Sequence, residues 1–121
     1  MKRKVLIVED QADVRELIRI TLELEDFDLH EAADGQGALR LLASLKPDLV
    51  LSDVMMPGID GLELCRRVKA DAGLRHTKVV LLSARGRAED RAAGVKAGAD
   101  AYLVKPFGPL ELLDTVRRLA G

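Results

Sequence analysis

At 121 residues the chain has room for one domain with one core. A hydrophobic content of 48% excludes disorder, and a formal net charge of -1 gives no strong field for nucleic acid or an anionic lipid surface. The aromatics Phe27, Tyr102 and Phe107 are too few for a base-stacking platform. The single cysteine, Cys65, has no internal disulfide partner, which suits a reducing compartment. Its helical spacing from Leu62 and Val68 predicts a buried helix position rather than a reactive thiol. No apolar run is long enough to span a membrane and the start is not signal-like, so a cytoplasmic location is expected.

The first apolar run, Val5-Leu6-Ile7-Val8, predicts a strand buried on both faces and ending at Glu9-Asp10. Residues 12–25 predict a helix with Val14, Leu17, Ile18, Leu22 and Leu24 near helical spacing, capped by Asp10 or Gln11. Residues 28–32 predict a short, more polar strand near a sheet edge. Asp34-Gly35 predicts a turn, and residues 37–45 a helix facing inward through Ala38, Leu41, Leu42 and Leu45. Pro47 stops it and delivers the chain to a strand over residues 49–52. Asp53 ends that strand, and Met55-Met56-Pro57-Gly58 makes a turn.

A helix follows over residues 61–72, with Gly73 as its terminator, then a strand over 78–82 running into Ser83-Ala84. Residues 88–96 predict a weak, small-residue helix closed by Gly98. Residues 99–104 predict the fifth strand, ending at Lys105-Pro106. Residues 109–119 predict the last helix, with Leu112, Leu113, Val116 and Leu119 inward. Strict alternation of strand and helix, without linker or repeat, predicts an α/β class: one doubly wound (βα)5 domain over residues 1–121. Its parallel five-stranded sheet takes the flavodoxin-like order 2-1-3-4-5.

In such a sheet the C-terminal strand ends share one rim. That rim collects Glu9, Asp10, Asp53, Ser83 and Lys105. Each has an ordinary explanation alone: Glu9-Asp10 as helix caps, Asp53 as a turn opener, Ser83 as a loop hydroxyl, Lys105 as a solvated charge. Together they argue for chemistry. Two like charges about 4 Å apart repel by roughly 1 kcal/mol in water and about 4 kcal/mol at an effective dielectric near 20. A hard divalent cation such as Mg2+, which prefers oxygen ligands, offsets that repulsion. A cation, an ammonium and a hydroxyl also suit a transferring phosphoryl group. With no histidine or cysteine at a strand end, the carboxylate itself is the expected nucleophile.

The residues that carry this pattern also carry a resemblance. Val5 to Asp10, Asp34-Gly35 with Ala38-Leu39, Pro47 to Gly61, Leu82-Ser83-Ala84, and Gly98 to Phe107 make the whole chain resemble a receiver domain of a bacterial two-component response regulator. The resemblance implies a phosphorylation-dependent switch rather than an enzyme. Asp53 would accept the phosphoryl group from a sensor histidine kinase, a histidine phosphotransfer protein or a small phosphodonor. Mg2+ would be held by Glu9, Asp10, Asp53 and the backbone carbonyl of Met55. Glu9 in place of a second Asp is a family variant with a longer reach. Ser83 and Lys105 would bind phosphoryl oxygens, Tyr102 would turn inward on activation, and the Lys105-Pro106 bond would be cis. Many receivers dimerise through the fourth helix, fifth strand and fifth helix. Ala101 and Thr115 stand where one acid–base pair of that face belongs, so a monomer is expected.

Other readings are weighed against this one. A Mg2+-dependent small-molecule phosphohydrolase needs a second acid–base group and a substrate pocket, for which the short loops leave little room. A flavin carrier needs a phosphate loop after the first strand, where Glu9-Asp10-Gln11 is electrostatically wrong. A receiver-like adaptor that is never phosphorylated usually loses part of the acidic cluster, which this chain keeps. Gly35-Gln36-Gly37 lacks the rest of a dinucleotide fingerprint. His30 and His76 lie outside the rim, and Arg85, Arg87 and Arg91 read as a solvated face beside it. With the chain ending at Gly121, no output domain is expected within it, and neither the downstream target nor the cognate kinase is legible.

Overall fold

The computed structural model describes residues 2–120. Five strands and five helices alternate: β1 Arg3–Val8, α1 Ala12–Leu22, β2 Phe27–Ala32, α2 Gly35–Leu45, β3 Leu49–Asp53, α3 Gly61–Ala70, β4 Lys78–Ser83, α4 Ala88–Lys96, β5 Ala101–Val104 and α5 Pro109–Ala120. A 3-10 turn, Ala72–Leu74, follows α3. All strand pairs are parallel, in the order β2-β1-β3-β4-β5. The α/β architecture and strand order follow the sequence pattern, because runs apolar on both faces need helices on both sides of the sheet.

Alternation along the strands divides the core into two layers. Val5, Ile7, Leu49, Leu51, Val80, Leu82 and Leu103 pack with Ile18 and Leu22 of α1 and Leu112, Leu113 and Val116 of α5. Leu6, Val8, Val50, Val79 and Leu81 pack on the other face with Ala38 and Leu42 of α2 and Leu64, Cys65 and Val68 of α3. α4 is the least anchored helix, since Gly94 is its one buried residue.

Several boundaries depart from the sequence expectation for local reasons. α1 ends at Leu22 rather than residue 25, where tighter bonds from Leu24 N–H to the Thr21 carbonyl and from Glu25 N–H to the Leu22 carbonyl unwind it. Leu17 and Leu24, which lie near the same helical spacing, are 61% and 75% exposed. The stripe of α1 buried on the sheet is Ile18, Thr21 and Leu22, with Val14 packed half-buried beside it. Gln11 occupies the N-cap position without a side-chain cap bond. α2 starts at Gly35 because the Asp34 carboxylate accepts from Gly37 N–H at 2.7 Å. α3 stops at Ala70. Gly73 does not terminate it but lies within the 3-10 turn that Asp71 initiates by accepting from Gly73 N–H. β5 begins at Ala101 rather than residue 99, because Asp100 is diverted: its carboxylate takes Val79 N–H at 2.8 Å and Lys69 Nζ at 2.7 Å.

Cys65 is buried in α3 with its thiol against the Ala97 carbonyl. Burial pushes the thiol from its ordinary 9.0 up to about 11. The raised value favours the folded protein below pH 9.0 and is lost as pH climbs through about 11. Native protein at pH 8 is expected to react with a thiol reagent only as fast as it unfolds. Labelling at the rate of a free thiol would contradict this burial.

Candidate functional site

The strand ends that form the rim follow from the pleat. Glu9 continues the alternation of Val5 and Ile7, Asp53 that of Leu49 and Leu51, and Lys105 that of Leu103, so all three emerge on the α1/α5 side. Glu9, Asp10 and Asp53 each offer a carboxylate oxygen, all within 4.8 Å of one another. Glu9 is fully buried, Asp53 is buried and Asp10 is exposed. Lys105 Nζ lies 2.9 Å from Glu9 Oε1 and 3.3 Å from Asp53 Oδ2, bridging the two buried acids.

Burial raises the Glu9 carboxyl above the usual carboxylate range, against the hydrogen bond from Lys105 that opposes it. Burial alone would depress Lys105. The hydrogen bond to Glu9 and the charge of Asp53 outweigh it and hold the ammonium above the ordinary lysine value. One cation thus faces three carboxylates. This all-oxygen, over-acidic donor set, open on the Asp10 side, suits a hard divalent cation better than a soft one.

The loop after β3 is fixed by backbone bonds, Val54 N–H to the Leu82 carbonyl at 2.8 Å and Gly61 N–H to the Val54 carbonyl at 2.9 Å. The Ser52 hydroxyl donates to the Asp53 carbonyl at 3.0 Å. Gly58 takes φ +76, as the turn needed. Met55, whose carbonyl was expected at the metal, lies in this exposed stretch. The Lys105-Pro106 bond is cis.

Ser83 does not join the charged contacts. On β4 it continues the alternation of Val79 and Leu81, so it faces the opposite layer. Its Oγ accepts from Arg85 N–H at 3.0 Å. It lines a cavity of about 150 Å3 together with Val54, Met55, Leu62, Ala93 and Tyr102. The Tyr102 hydroxyl donates to the Arg85 carbonyl at 2.7 Å, and Arg91 sits over the ring at 5.6 Å from its centroid. Ser83 and Tyr102 therefore meet through the β4–α4 loop. His30 lies beside Asp28 on β2, and His76 Nε2 is 3.1 Å from the Lys46 carbonyl; neither approaches the rim.

Sequence reasoning passed over three residues. Arg15 donates to the Glu9 carbonyl at 2.7 Å. Gly61 runs against the backbone of Asp53, and Gly94 against the Tyr102 ring. In each case the partner is a main-chain atom or a distant side chain, which no local pattern encodes.

Comparison with known proteins agrees with this geometry. The family model described as response regulator receiver domain matches residues 5–117. The DNA-binding response regulator MtrA of Mycobacterium tuberculosis is 41% identical over 97% of this chain and 50% of its own length. The phosphate regulon transcriptional regulatory protein PhoB of Escherichia coli is 41% identical over 97% of this chain and 51% of its own. The chain spans about half the length of these curated relatives. Among solved structures, the Vibrio cholerae chemotaxis protein CheY4 superposes with a TM-score of 0.92 at 33% identity, covering 98% of this chain and 99% of that one. A response regulator from Chloroflexus aurantiacus reaches a TM-score of 0.94 at 35% identity, covering 99% and 98%. This chain belongs to the response regulator receiver domain family, the phosphorylation-dependent switches of two-component signalling.

Proposed function

We propose that residues 1–121 act as one receiver domain in which Asp53 accepts a phosphoryl group from the phosphohistidine of a sensor histidine kinase or histidine phosphotransfer protein, or from a small phosphodonor. The observation that carries this reading is the meeting of Glu9, Asp10 and Asp53 around a single bridging ammonium. Glu9, Asp10, Asp53 and the Met55 carbonyl would hold Mg2+. The ion would neutralise the carboxylates and the phosphoryl oxygens brought against them.

An oxygen of Asp53 forms the bond to phosphorus as the donor's P–N or P–O bond breaks, and the electron pair leaves with the donor. Lys105, already 3.3 Å from Asp53, exchanges part of its carboxylate contact for a phosphoryl oxygen. Ser83 takes another by turning its hydroxyl from Arg85 N–H. That movement pulls on the loop whose carbonyl at Arg85 holds Tyr102, so the added charge resets the α4/β5/α5 surface. The phosphohydrolase alternative is not favoured, since the family is a signalling domain rather than an enzyme family.

The surface so changed would control a partner protein or an output domain; the receiver itself would not touch DNA or membrane. Among the described residues no helix is long and apolar enough to cross a membrane. A cytoplasmic location is part of the proposal, as the place where such switches meet their kinases. A monomer is the expected state: Ala101 has no charge to offer, and the Thr115 hydroxyl is spent on the Glu111 carbonyl at 2.8 Å. Arg91, a possible partner for Glu111, lies over Tyr102 instead.

The test is incubation with Mg2+ and acetyl phosphate. One phosphoryl adduct, labile to hydroxylamine and absent in EDTA, is expected on Asp53. Asp53→Asn should keep the fold and lose the adduct. Recovery of the phosphoryl group on Ser83 would overturn the assignment.

A further inference from the structure

Glu9 is the only fully buried member of the acidic cluster, and each of its polar atoms is engaged. Its N–H donates to the Ala32 carbonyl at 3.1 Å, extending the β1–β2 ladder by one bond. Its Oε1 receives Lys105 Nζ at 2.9 Å, and its Oε2 receives Gln11 N–H at 3.2 Å. Its carbonyl, one residue beyond β1, is held by a side chain: Arg15 donates to it at 2.7 Å. A charge-assisted bond of that length is among the stronger kinds available to a carbonyl.

Arg15 is itself steered. Its Nε lies 3.5 Å from Glu31 Oε1 on the edge strand β2, and Arg19 Nε lies 3.7 Å from the other oxygen of the same carboxylate. The Glu31 carboxylate thus orients two guanidiniums on α1, and one of them reaches under the rim to the Glu9 backbone. None of these three residues contributes a ligand atom to the acidic cluster.

We propose that Arg15 is a positioning residue for the divalent-cation site: it fixes the Glu9 main chain and so the direction from which the Glu9 carboxylate enters the cluster, with Glu31 orienting the guanidinium. The inference rests on reading the cluster as a cation site. Two features give the tie its weight. Glutamate has one more side-chain torsion than aspartate, so its carboxylate is placed well only if its backbone is fixed. Lys105 is shared between Glu9 and Asp53, so any shift of the ammonium toward a phosphoryl group loosens its hold on Glu9. The Arg15 bond and the Gln11 N–H bond remain. Groups behind metal ligands of this kind typically set affinity by about 10-fold to 100-fold.

A simple charge effect predicts the opposite sign. A guanidinium near a cation site repels the cation, so its removal should tighten Mg2+ binding, even with Glu31 cancelling part of the charge. The two accounts separate in a titration of the 121-residue chain with Mg2+ alone, read by amide NMR shifts at Glu9, Asp10 and Asp53. Arg15→Ala should weaken Mg2+ binding about tenfold. Arg15→Lys, which retains the charge and one donor for the carbonyl, should recover part of the loss. If the alanine variant fails to fold, Arg15→Met keeps the aliphatic stem and replaces it in the same comparison. Mg2+ binding as tight as the parent's, or tighter, without the guanidinium overturns the positioning role. A parent that shows no Mg2+ response overturns the cation site itself, and this inference with it.

Discussion

Lys105→Ala is expected to lower stability in EDTA by about 2–3 kcal/mol, a fall in Tm of about 10 °C. The residue is the one ammonium that touches both buried acids, at 2.9 Å and 3.3 Å. Breaking a fully buried pair by removing one partner costs about 3–5 kcal/mol because it strands the other charge. The Lys105 side chain is 21% exposed, so water screens part of that and the lower range applies. Glu9 caps the loss further. Burial already favours its neutral form, and loss of the Lys105 hydrogen bond, which opposes that shift, favours it further.

The signs with pH follow from these shifts. Lys105 is held above its ordinary value of 10.5, so its contribution is fully present below that pH and is lost only as pH rises through the elevated folded value. Glu9 is also raised from its ordinary 4.5, so it favours the folded state below that pH and works against it once ionised. The deficit of Lys105→Ala should therefore be largest near neutrality and shrink as the solution is acidified toward the Glu9 pKa. Mg2+ should recover part of it, since a cation bound only by the native state stabilises by about 2.7 kcal/mol at 100 times its Kd. Denaturant melts of parent and variant, with and without Mg2+, decide the matter. A variant as stable as the parent in EDTA at pH 7 would mean that the carboxylates relax apart without their ammonium.

Much of this site was legible in the sequence because parallel strands announce themselves. Val5 to Val8, Leu49 to Leu51 and Val79 to Leu82 are apolar without alternation, which fixes strands covered on both faces and hence a shared rim for Glu9, Asp53 and Lys105. What the pattern left open was orientation across the sheet. The pleat sets Ser83 one residue out of phase with Leu82, on the side of Tyr102, where it lines the cavity. Leu17 and Leu24 fit a helical period but not the narrow stripe of α1 that meets the sheet. Arg15 was invisible for a different reason. Its partner is a backbone carbonyl, and a carbonyl has no letter in the sequence.

Two glycines show the same limit and separate fold from signal. A Cβ built on Gly61 would overlap the Asp53 carbonyl oxygen and stand 2.8 Å from Val54 Cα. Both atoms are main chain, and Val54 is bonded on both sides, to Leu82 and to Gly61 itself. Nothing there can rotate away, so Gly61→Ala is expected to cost about 3 kcal/mol or more and to displace Asp53 from the cluster. A Cβ on Gly94 would stand 2.9 Å from Tyr102 Cδ2, which looks nearly as severe. Here the obstacle is a ring that can swing, and replacing a helical glycine returns about 1 kcal/mol of helix propensity. Gly94→Ala should therefore leave stability within about 1 kcal/mol of the parent while forcing the ring off α4 and away from the Arg85 carbonyl. Tyr102 is the only tyrosine and there is no tryptophan, so intrinsic emission and its quenching by acrylamide report this one side chain. The expected pattern is loss of fold and of acetyl phosphate labelling in Gly61→Ala. In Gly94→Ala, labelling should be retained with a more quenchable Tyr102. A Gly61→Ala protein as stable as the parent would show that the β3 loop is slack. A Tyr102 no more exposed in Gly94→Ala would show that the ring is not seated on that glycine.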